Sequence, residues 1–366
     1  MEEKAIEAML AEAEPISPEI LQKAKEHWNR VAKPLYSLGK LETIISRMAA
    51  IQGNSSQVLA QKAALMIMCA DHGVVAEGVT QTGYEITKVV TDNFVAGRTS
   101  AAIMAQETGV DLFPVDMGIN CVPYPENQIK TGAVLNRKIA RGSGNIAKEP
   151  AMSESQCRQA LLTGISLAGE IKDMGYHMIA TGEMGIGNTT PSSAIASFLL
   201  KQSPEKMTGK GAGLSKEGIE RKRKVVETAL NRYKKQQLTG SAIEVLANLG
   251  GYDIAGITGL FLGGYIYKIP VLIDGFISAV SALCAAEICP EAKGCMFATH
   301  ISKEPAGGLV LEALELEPVV TADMCLGEGT GALTVIPMIR MAAQVYNRMG
   351  VFGEIAIEQY EDYSEQ

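Results

Sequence analysis

The stretch "HMIATGEMGIGNTTPSSA", residues 177–194, joins a short apolar run to a glycine-rich turn and then to a segment with helical spacing. A short apolar run bounded by turn residues is typical of a buried strand. Gly185 and Gly187 allow a tight turn after that run, and the small polar residues that follow suit a helix start. The stretch therefore predicts a strand, a loop and a helix in that order, which is the repeating unit of an α/β fold.

Comparable apolar runs occur along the rest of the chain, with longer helical patterns between them. The predicted strands cover residues 64–70, 111–118, 177–182, 270–275 and 295–300. The predicted helices cover residues 87–107, 153–174, 218–230 and 276–288. Apolar strands separated by helices favour a mostly parallel sheet with helices on both faces. The predicted fold class is therefore α/β.

The two ends of the chain differ from the middle. They are polar, have helical spacing and contain no strand pattern. We predict a large α/β domain over residues 31–340 and a small helical subdomain made by residues 1–30 together with 341–366.

Composition limits the partners that the protein can have. A chain of 366 residues buries about 75% of its unfolded surface, and 47% hydrophobic residues with only 5% aromatics predict an aliphatic core. The net charge of −8 argues against nucleic acid as a partner, because a protein that binds a phosphate backbone needs a basic face.

Residues 254–273 form a nearly uncharged run that is long enough to cross a bilayer, but Lys268 and Pro270 interrupt it. We predict a helix and a short buried strand there, and no membrane span. The seven cysteines are an odd number, and the N-terminus carries acidic residues where a targeting peptide carries basic ones. These features predict a cytoplasmic protein without disulfides. Cys284, Cys289 and Cys295 match no common zinc pattern, so no metal site is predicted.

Polar residues follow nearly every predicted strand. Asp71-His72, Asp116, Glu183, Asp274 and Thr299-His300 all stand just after an apolar run. Ligands of open parallel sheets bind at the carboxyl ends of the strands. We therefore expect these side chains to form one active-site rim.

The segment 182–194 is the strongest anion signal. Its glycines, Asn188, Thr189 and Thr190 allow a turn whose following helix points free N–H groups at a phosphate. It lacks the spacing of a P-loop or of a dinucleotide fingerprint, so a plain strand-to-helix turn is the alternative. The basic run 221–224 is either a solvated helix face or contains one inward residue that holds a phosphate.

The stretch "LGEGTGAL", residues 326–333, places one carboxylate, Glu328, between glycines. Glycines let the backbone turn sharply, so the string pushes one acidic side chain out of a bare loop. In the alternative, Glu328 only complements the dipole of a helix that Thr330 caps.

These motifs carry a resemblance. The segments "ADHGVVAEGV", "DMGIN", "GEMGIGNTT", "GLSKEGIERKRKVV", "IAGITGLFLGG" and "LGEGTGAL" resemble, in this order, those of nicotinate-nucleotide–dimethylbenzimidazole phosphoribosyltransferases, the CobT family. The resemblance covers nearly the whole chain. It implies a Rossmann-like fold with a small helical domain from both chain ends, and transfer of ribose 5-phosphate from nicotinate mononucleotide to an aromatic base. It also implies a dimer without metal or organic cofactor.

The resemblance also implies roles for individual residues. Glu328 is the general base that takes a proton from the incoming base, which lies against Leu326 and Gly327. Glu183 lies near the ribose. The phosphate contacts are Gly185, Ile186, Gly187, Asn188, Thr189, Lys222 and Ser302. His72 and His300 either act directly or hold loop backbone.

The sequence departs from the family pattern at the base pocket. Thr80 stands where the family tends to have Ser, and Val89 where it tends to have Gln. An apolar Val89 predicts a pocket wall that suits phenol or p-cresol as well as dimethylbenzimidazole. Some family members pair with an unlike subunit, so a homodimer and a heterodimer with a paralogous subunit are both open. A nucleotide N-glycosidase and a non-catalytic partner subunit are the alternative functions.

Overall fold

The computed structural model describes residues 3–237, 239–355 and 358–361. The predicted helical subdomain includes residues 1–2, 356–357 and 362–366, which lie outside the described residues.

One six-stranded sheet forms the centre of the molecule. Its strands are β1 (Ala63–Ala70), β2 (Asp111–Gly118), β3 (Leu135–Asn136), β4 (Met178–Met184), β5 (Val271–Ile273) and β6 (Met296–Ala298). The order across the sheet is β3-β2-β1-β4-β5-β6, and each neighbouring pair is parallel. This is the Rossmann order, in which ligands bind where the order reverses, beside β1 and β4. The predicted fold class is confirmed.

Helices connect and cover the strands. Those of the described residues are α1 (Glu3–Glu12), α2 (Pro18–Arg30), α3 (Lys40–Gln52), α4 (Glu85–Val95), α5 (Ser100–Thr108), α6 (Glu154–Asp173), α7 (Thr189–Leu199), α8 (Pro204–Met207), α9 (Lys216–Lys234), α10 (Ala242–Leu249), α11 (Tyr252–Ile266), α12 (Phe276–Ile288), α13 (Gly307–Ala313) and α14 (Thr330–Arg348). Helices α4, α5 and α14 pack on one face of the sheet, and α6, α11 and α12 on the other. The residues of β1 and β4 are all buried, as expected for central strands covered on both faces.

Close backbone packing explains the small residues of α11. A Cβ on Gly259 would overlap the carbonyl oxygen of Leu161 in α6, and a Cβ on Gly164 would overlap that of Gly256. The two helices therefore need glycine where they cross. The chain then leaves α11 at Ile266 and enters β5, so the long apolar run is a helix and a buried strand, as predicted. No helix in the described part of the chain is both long and apolar enough to cross a membrane.

Two predictions of secondary structure need correction. The helix predicted over 87–107 is two helices, α4 and α5, because Gly97 has a φ of +70° and Thr99 begins a new helix. The Thr99 hydroxyl oxygen accepts the N–H of Ala102 and so caps α5. The two-residue strand β3 was not predicted, since a pair of residues gives no pattern to read.

The chain ends pack against the main body. Trp28 of α2 meets Tyr346 of α14 edge to face, with ring centroids 5.0 Å apart. Val31 and Val351 form an antiparallel bridge. The predicted boundary at residue 340 falls inside α14, which runs without a break to Arg348. The division into two domains stays a prediction.

Candidate active site

A cavity of about 420 Å³ opens at the carboxyl ends of β4, β5 and β6. Twelve of the thirteen predicted site residues line it: Thr80, Glu183, Gly185, Ile186, Gly187, Asn188, Thr189, Lys222, Ser302, Leu326, Gly327 and Glu328. They come from five separate parts of the sequence. The fold therefore brings the sequence motifs to one place, as expected for the switch point of a Rossmann sheet.

Val89 is the exception. It is 51% exposed on α4 and does not line the cavity. Ile86 and Val90, four residues apart, line the cavity instead, because residues at that spacing share one helix face. The prediction that Val89 forms the base-pocket wall is therefore corrected to Ile86 and Val90. The hydroxyl of Thr80 donates to the carbonyl of Thr82, 2.7 Å away, and so is already engaged within its loop.

The loop that carries Glu328 has an unusual backbone. Gly327, Glu328 and Gly329 all have positive φ, of +88°, +59° and +85°. A left-handed conformation at a non-glycine residue costs about 1–3 kcal/mol and clusters at functional sites. The loop that lines the cavity at Glu328 thus holds this backbone conformation at some cost in stability.

Asp274, at the end of β5, fixes this loop and the start of α14. Its carboxylate accepts N–H groups from Gly329 at 3.0 Å, Gly331 at 2.7 Å and Ala332 at 3.3 Å. Asp274 therefore does the capping work that the alternative gave to Glu328 and Thr330. The hydroxyl of Thr330 donates to the carbonyl of Gly327 instead. The carboxylate of Glu328 is therefore not needed for this cap.

The Glu328 carboxylate is well suited to accept a proton. Its Oε2 atom is buried and meets no hydrogen-bond donor among the described residues. Burial raises the pKa of Glu328, the backbone N–H of Ala101 opposes that shift, and the negative charge of Asp274 adds to it. Removal from water favours the neutral form of a carboxyl group. Glu328 is therefore more basic than an exposed glutamate.

Glu183, at the end of β4, supports the same loop from below. Its Oε1 accepts the N–H of Glu328 at 3.4 Å, and its Oε2 accepts the side-chain amide of Asn188 at 2.5 Å. Burial raises the pKa of Glu183 well above its usual range, and the amide of Asn188 opposes this. The charges of Asp253 and Asp274 raise it further.

Asp253 was missed by sequence reasoning. It lies at the start of α11, and its carboxylate accepts from Asn188 at 3.2 Å and contacts His72 Nε2 at 3.1 Å. His72 does not line the cavity and lies behind the glycine loop, where a Cβ on Gly185 would stand 3.1 Å from it. His72 thus holds the loop, whereas His300 lines the cavity beside Asp274. No signal in the sequence pointed to Asp253, because it lies in the first turn of a helix instead of following a strand.

The opposite end of the cavity is suited to an anion. Helix α7 begins at Thr189 directly after the glycine loop, so the positive end of its dipole lies at the cavity. Lys222 on α9 donates to the Thr189 hydroxyl at 2.7 Å and is only 1% exposed. Burial lowers the pKa of Lys222 to about 8. The anion site is thus a buried cation beside a helix start.

The four basic residues 221–224 on α9 differ in exposure. Arg221 and Lys224 are exposed, Arg223 pairs with Glu220 at 2.6 Å, and Lys222 points inward. Of the two alternatives, a solvated face explains three members, and Lys222 is the one inward residue, whose contact with a phosphate stays a prediction.

The possible metal ligands of the described chain do not cluster. Among residues 3–237, 239–355 and 358–361, no group of three or more His, Cys, Asp or Glu side chains is placed to hold a metal ion. The seven cysteines are free, and Cys325 alone among them lines the cavity. The lining of the cavity combines a buried lysine, Lys222, with a carboxylate of raised pKa, Glu328.

A Rossmann sheet whose cavity holds a buried lysine at one end and a carboxylate of raised pKa at the other is suited to an enzyme that acts on an anionic small molecule. A family model described as "Phosphoribosyltransferase" matches residues 13–357. The nicotinate-nucleotide–dimethylbenzimidazole phosphoribosyltransferase of Ruminiclostridium cellulolyticum is 42% identical over 342 residues, covering 93% of this chain and 95% of that protein. That of Acetivibrio thermocellus is 41% identical over 331 residues, covering 90% and 92%.

Solved structures agree with these sequence relatives. The crystal structure of CobT from Thermus thermophilus superposes with a TM-score of 0.85 at 35% identity, covering 94% of this chain and 100% of that chain. The chain belongs to the nicotinate-nucleotide–dimethylbenzimidazole phosphoribosyltransferase, or CobT, family, and it is a pentosyltransferase.

Proposed function

We propose that this chain transfers ribose 5-phosphate from nicotinate mononucleotide to an aromatic base, giving an α-riboside 5'-phosphate and free nicotinate. One observation carries the proposal: a single cavity is lined both by the buried cation Lys222 and by Glu328, whose buried Oε2 meets no described donor. Family membership and the names of the relatives support the same reaction.

The donor's phosphate binds at the Lys222 end of the cavity. We place its contacts at the loop from Gly185 through Ile186, Gly187 and Asn188 to Thr189, together with Lys222 and Ser302, all of which line this cavity. A helix start and a buried ammonium both favour a phosphate dianion. In this arrangement Glu183 lies near the ribose.

The bond changes need one proton acceptor. The bond between the anomeric carbon and the nicotinate nitrogen breaks, and its electron pair returns to the ring nitrogen, so the leaving group needs no acid. A nitrogen or oxygen of the acceptor forms the new bond, and the acceptor must lose one proton: a phenol loses it from the bonding oxygen, and a benzimidazole loses it from the other ring nitrogen. The Glu328 carboxylate takes that proton, which is the work of a general base. The pKa of Glu328, raised by burial, suits this step.

The acceptor lies in the apolar part of the cavity. Val79, Ile86, Val90 and Leu326 contribute hydrophobic surface there, and Gly327 lines the same cavity. Both dimethylbenzimidazole and a phenolic base such as phenol or p-cresol fit this chemistry, since each presents one ionisable atom to Glu328 and an apolar ring to the wall. The support for a phenol comes from Ile86 and Val90 and not from Val89.

Mass spectrometry tests the proposal. The purified protein is incubated with nicotinate mononucleotide and a panel of benzimidazoles, purines and phenols, with boiled protein as the control. We expect an α-riboside 5'-phosphate of at least one benzimidazole or phenol. Absence of such a product with every base, with or without a paralogous subunit, would contradict the proposal.

The alternative functions have less support. A nucleotide N-glycosidase would release nicotinate from nicotinate mononucleotide at full rate without any added base, so omitting the base distinguishes it. A non-catalytic partner subunit does not need a proton acceptor, yet Glu328 is present and held at a strained backbone position. The apolar wall beside Glu328 also favours an aromatic acceptor over water.

The assembly is a further part of the proposal. We propose that the chain forms a homodimer, or a heterodimer with a paralogous subunit, because Val89, Ile103 and Met341 leave apolar surface exposed at 51%, 52% and 62%. Sedimentation with and without a candidate paralogue measures the assembly.

Two further parts of the proposal concern location and domains. Free cysteines suit the reducing cytoplasm. We also propose that the chain ends act as a small helical subdomain.

A further inference from the structure

Glu304 lines the phosphate end of the cavity, and the proposed reaction gives it no role. It lies between β6 and α13, and its Oε1 accepts the N–H of Gly211 at 2.9 Å. Its Oε2 is buried, and within the described part of the chain no donor reaches it. A carboxylate in this position beside a phosphate site is unexpected, because like charges repel and an unpaired buried oxygen is costly.

The glycine segment 209–211 links Glu304 to Lys222. A Cβ on Gly209 would overlap Glu304 Oε2, so this carboxylate rests directly on the backbone. Lys222 Nζ lies 3.4 Å from the carbonyl oxygen of Gly209, and a Cβ on Gly211 would stand 3.4 Å from the same nitrogen. Both charged side chains therefore contact one three-residue segment.

The other neighbours of Lys222 carry little charge. The residues one turn away on α9 are Gly218, Ile219, Val225 and Val226. Helix α7 offers the Thr189 hydroxyl, and Lys210 lines the cavity with an exposed side chain. Burial lowers the pKa of Lys222 to about 8, and the charge of Glu304 opposes that shift.

We infer that Glu304 is a positioning residue of the phosphate site, which keeps Lys222 positively charged and fixes the glycine segment on which both side chains rest. The inference depends on the proposed function, because it takes Lys222 as the contact for the donor's phosphate. Glu304 acts through Lys222 and the segment 209–211.

The charge on Glu304 has two opposite effects on phosphate binding. It repels the phosphate at every pH, and it holds the proton on Lys222 as the pH rises. Without it, affinity is equal or slightly better at low pH, where Lys222 is charged in any case. Affinity then falls at a lower pH than in the wild type, because a neutral amine is a poor phosphate partner. A purely structural role for Glu304 would give the same loss at every pH.

A lysine titration tests the inference without any ligand. Glu304→Gln keeps an oxygen for the Gly211 N–H and removes the charge. Lysine side chains are labelled with ¹³C, Lys222 is assigned by the loss of its signal in Lys222→Arg, and its titration midpoint is read by NMR. We expect the midpoint in Glu304→Gln to fall by about one pH unit, and that in Glu304→Asp to stay near the wild type. Glu312→Gln, exposed on α13, is the control and should not shift it. An unchanged midpoint in Glu304→Gln would overturn the inference.

A second measurement connects the inference to the substrate. Calorimetry gives the affinity for nicotinate mononucleotide from about pH 6 to about pH 9. We expect Glu304→Gln to match the wild type at the acid end and to bind up to about tenfold more weakly at the alkaline end. An equal loss at both ends would overturn the inference. If the wild type fails to bind this nucleotide at any pH, the proposed function fails instead, and the lysine titration still decides the role of Glu304.

Discussion

The two ends of the cavity respond to burial in opposite directions. At one end burial raises the pKa of Glu328, and at the other it lowers the pKa of Lys222 to about 8. The same physical cause therefore makes the carboxylate a better base and the lysine a weaker anion site. The first change favours the proposed reaction, and the second opposes it. This difference explains why a carboxylate, Glu304, stands beside the lysine, whereas Glu328 keeps one oxygen free.

The two ends are also held in different ways. The Glu328 loop is fixed by backbone N–H groups that donate to Asp274 and by three consecutive residues with positive φ. The phosphate end is fixed by a helix start and by side-chain contacts such as that between Lys222 and Thr189. We therefore expect substitutions at the first end to break the chemistry and substitutions at the second end to break binding.

The largest expected effect separates chemistry from binding. Glu328→Gln removes the proton acceptor and preserves shape, so turnover should fall by about 10²–10⁴-fold, while affinity for nicotinate mononucleotide changes less than about twofold. Product formation measured by mass spectrometry and affinity measured by calorimetry check both halves. Glu312→Gln serves as the matched control on an exposed site. Near-normal turnover of Glu328→Gln would rule out the base role.

The second largest effect is expected on substrate binding. Lys222→Ala should weaken binding of nicotinate mononucleotide by roughly 1.5–3 kcal/mol, the usual worth of a charge-assisted hydrogen bond. Lys224→Ala, on the exposed side of the same helix, should bind as the wild type does. Equal affinities of the two variants in calorimetry would move the phosphate to another site.

The pH dependence of turnover in the wild-type protein tests the role of Glu328 without any substitution. Glu328 acts only when deprotonated, and burial raises its pKa above the ordinary value of 4.5. Turnover should therefore fall as the pH drops through that raised pKa, by about tenfold per pH unit below it. The acid limb should be absent in Glu328→Gln. An acid limb that persists unchanged in the variant would assign the titration to another group.

The smallest effect concerns the choice of acceptor. Val90 lines the cavity and Val89 does not, so Val90→Gln should shift the product ratio toward dimethylbenzimidazole over phenol. A change of a few-fold is expected, since one contact in a hydrophobic pocket is worth about 1–3 kcal/mol at most. Val89→Gln is the matched control and should leave the ratio unchanged. A larger shift from Val89→Gln than from Val90→Gln would restore Val89 to the pocket wall.

The strands and part of the active-site rim were predictable because each depends on local pattern. Of the residues expected at the rim, Glu183, Asp274 and His300 line the cavity. The others, Asp71, His72, Asp116 and Thr299, do not. Apolar runs identified five of the six strands, and the rule that ligands bind at strand carboxyl ends grouped Glu183 with Asp274. The error at Val89 has a physical reason. A match to a family position does not take account of the helical phase of α4. In that phase Ile86 and Val90, which are four residues apart, share the face toward the cavity.

Residues defined only by tertiary contacts escaped prediction. Asp253 lies at the beginning of a helix, and its partners His72 and Asn188 are 181 and 65 residues away in the sequence. Glu304 follows Ser302 by two residues, yet only the folded chain brings it to the segment beside Lys222. The break between α4 and α5 was also missed, although Gly97 and Thr99 are common signals of a helix end and a helix start.

One structure would test most directly the claim that a single cavity holds the donor's phosphate at one end and the acceptor at the other. Glu328→Gln, expected to be inactive, is crystallised with nicotinate mononucleotide and an aromatic base. We expect the phosphate within about 3.2 Å of Lys222 Nζ, and the acceptor's ionisable atom at the same distance from the side chain at position 328, as a proton transfer requires. A phosphate bound away from Lys222, or a ring bound out of reach of position 328, would contradict the account.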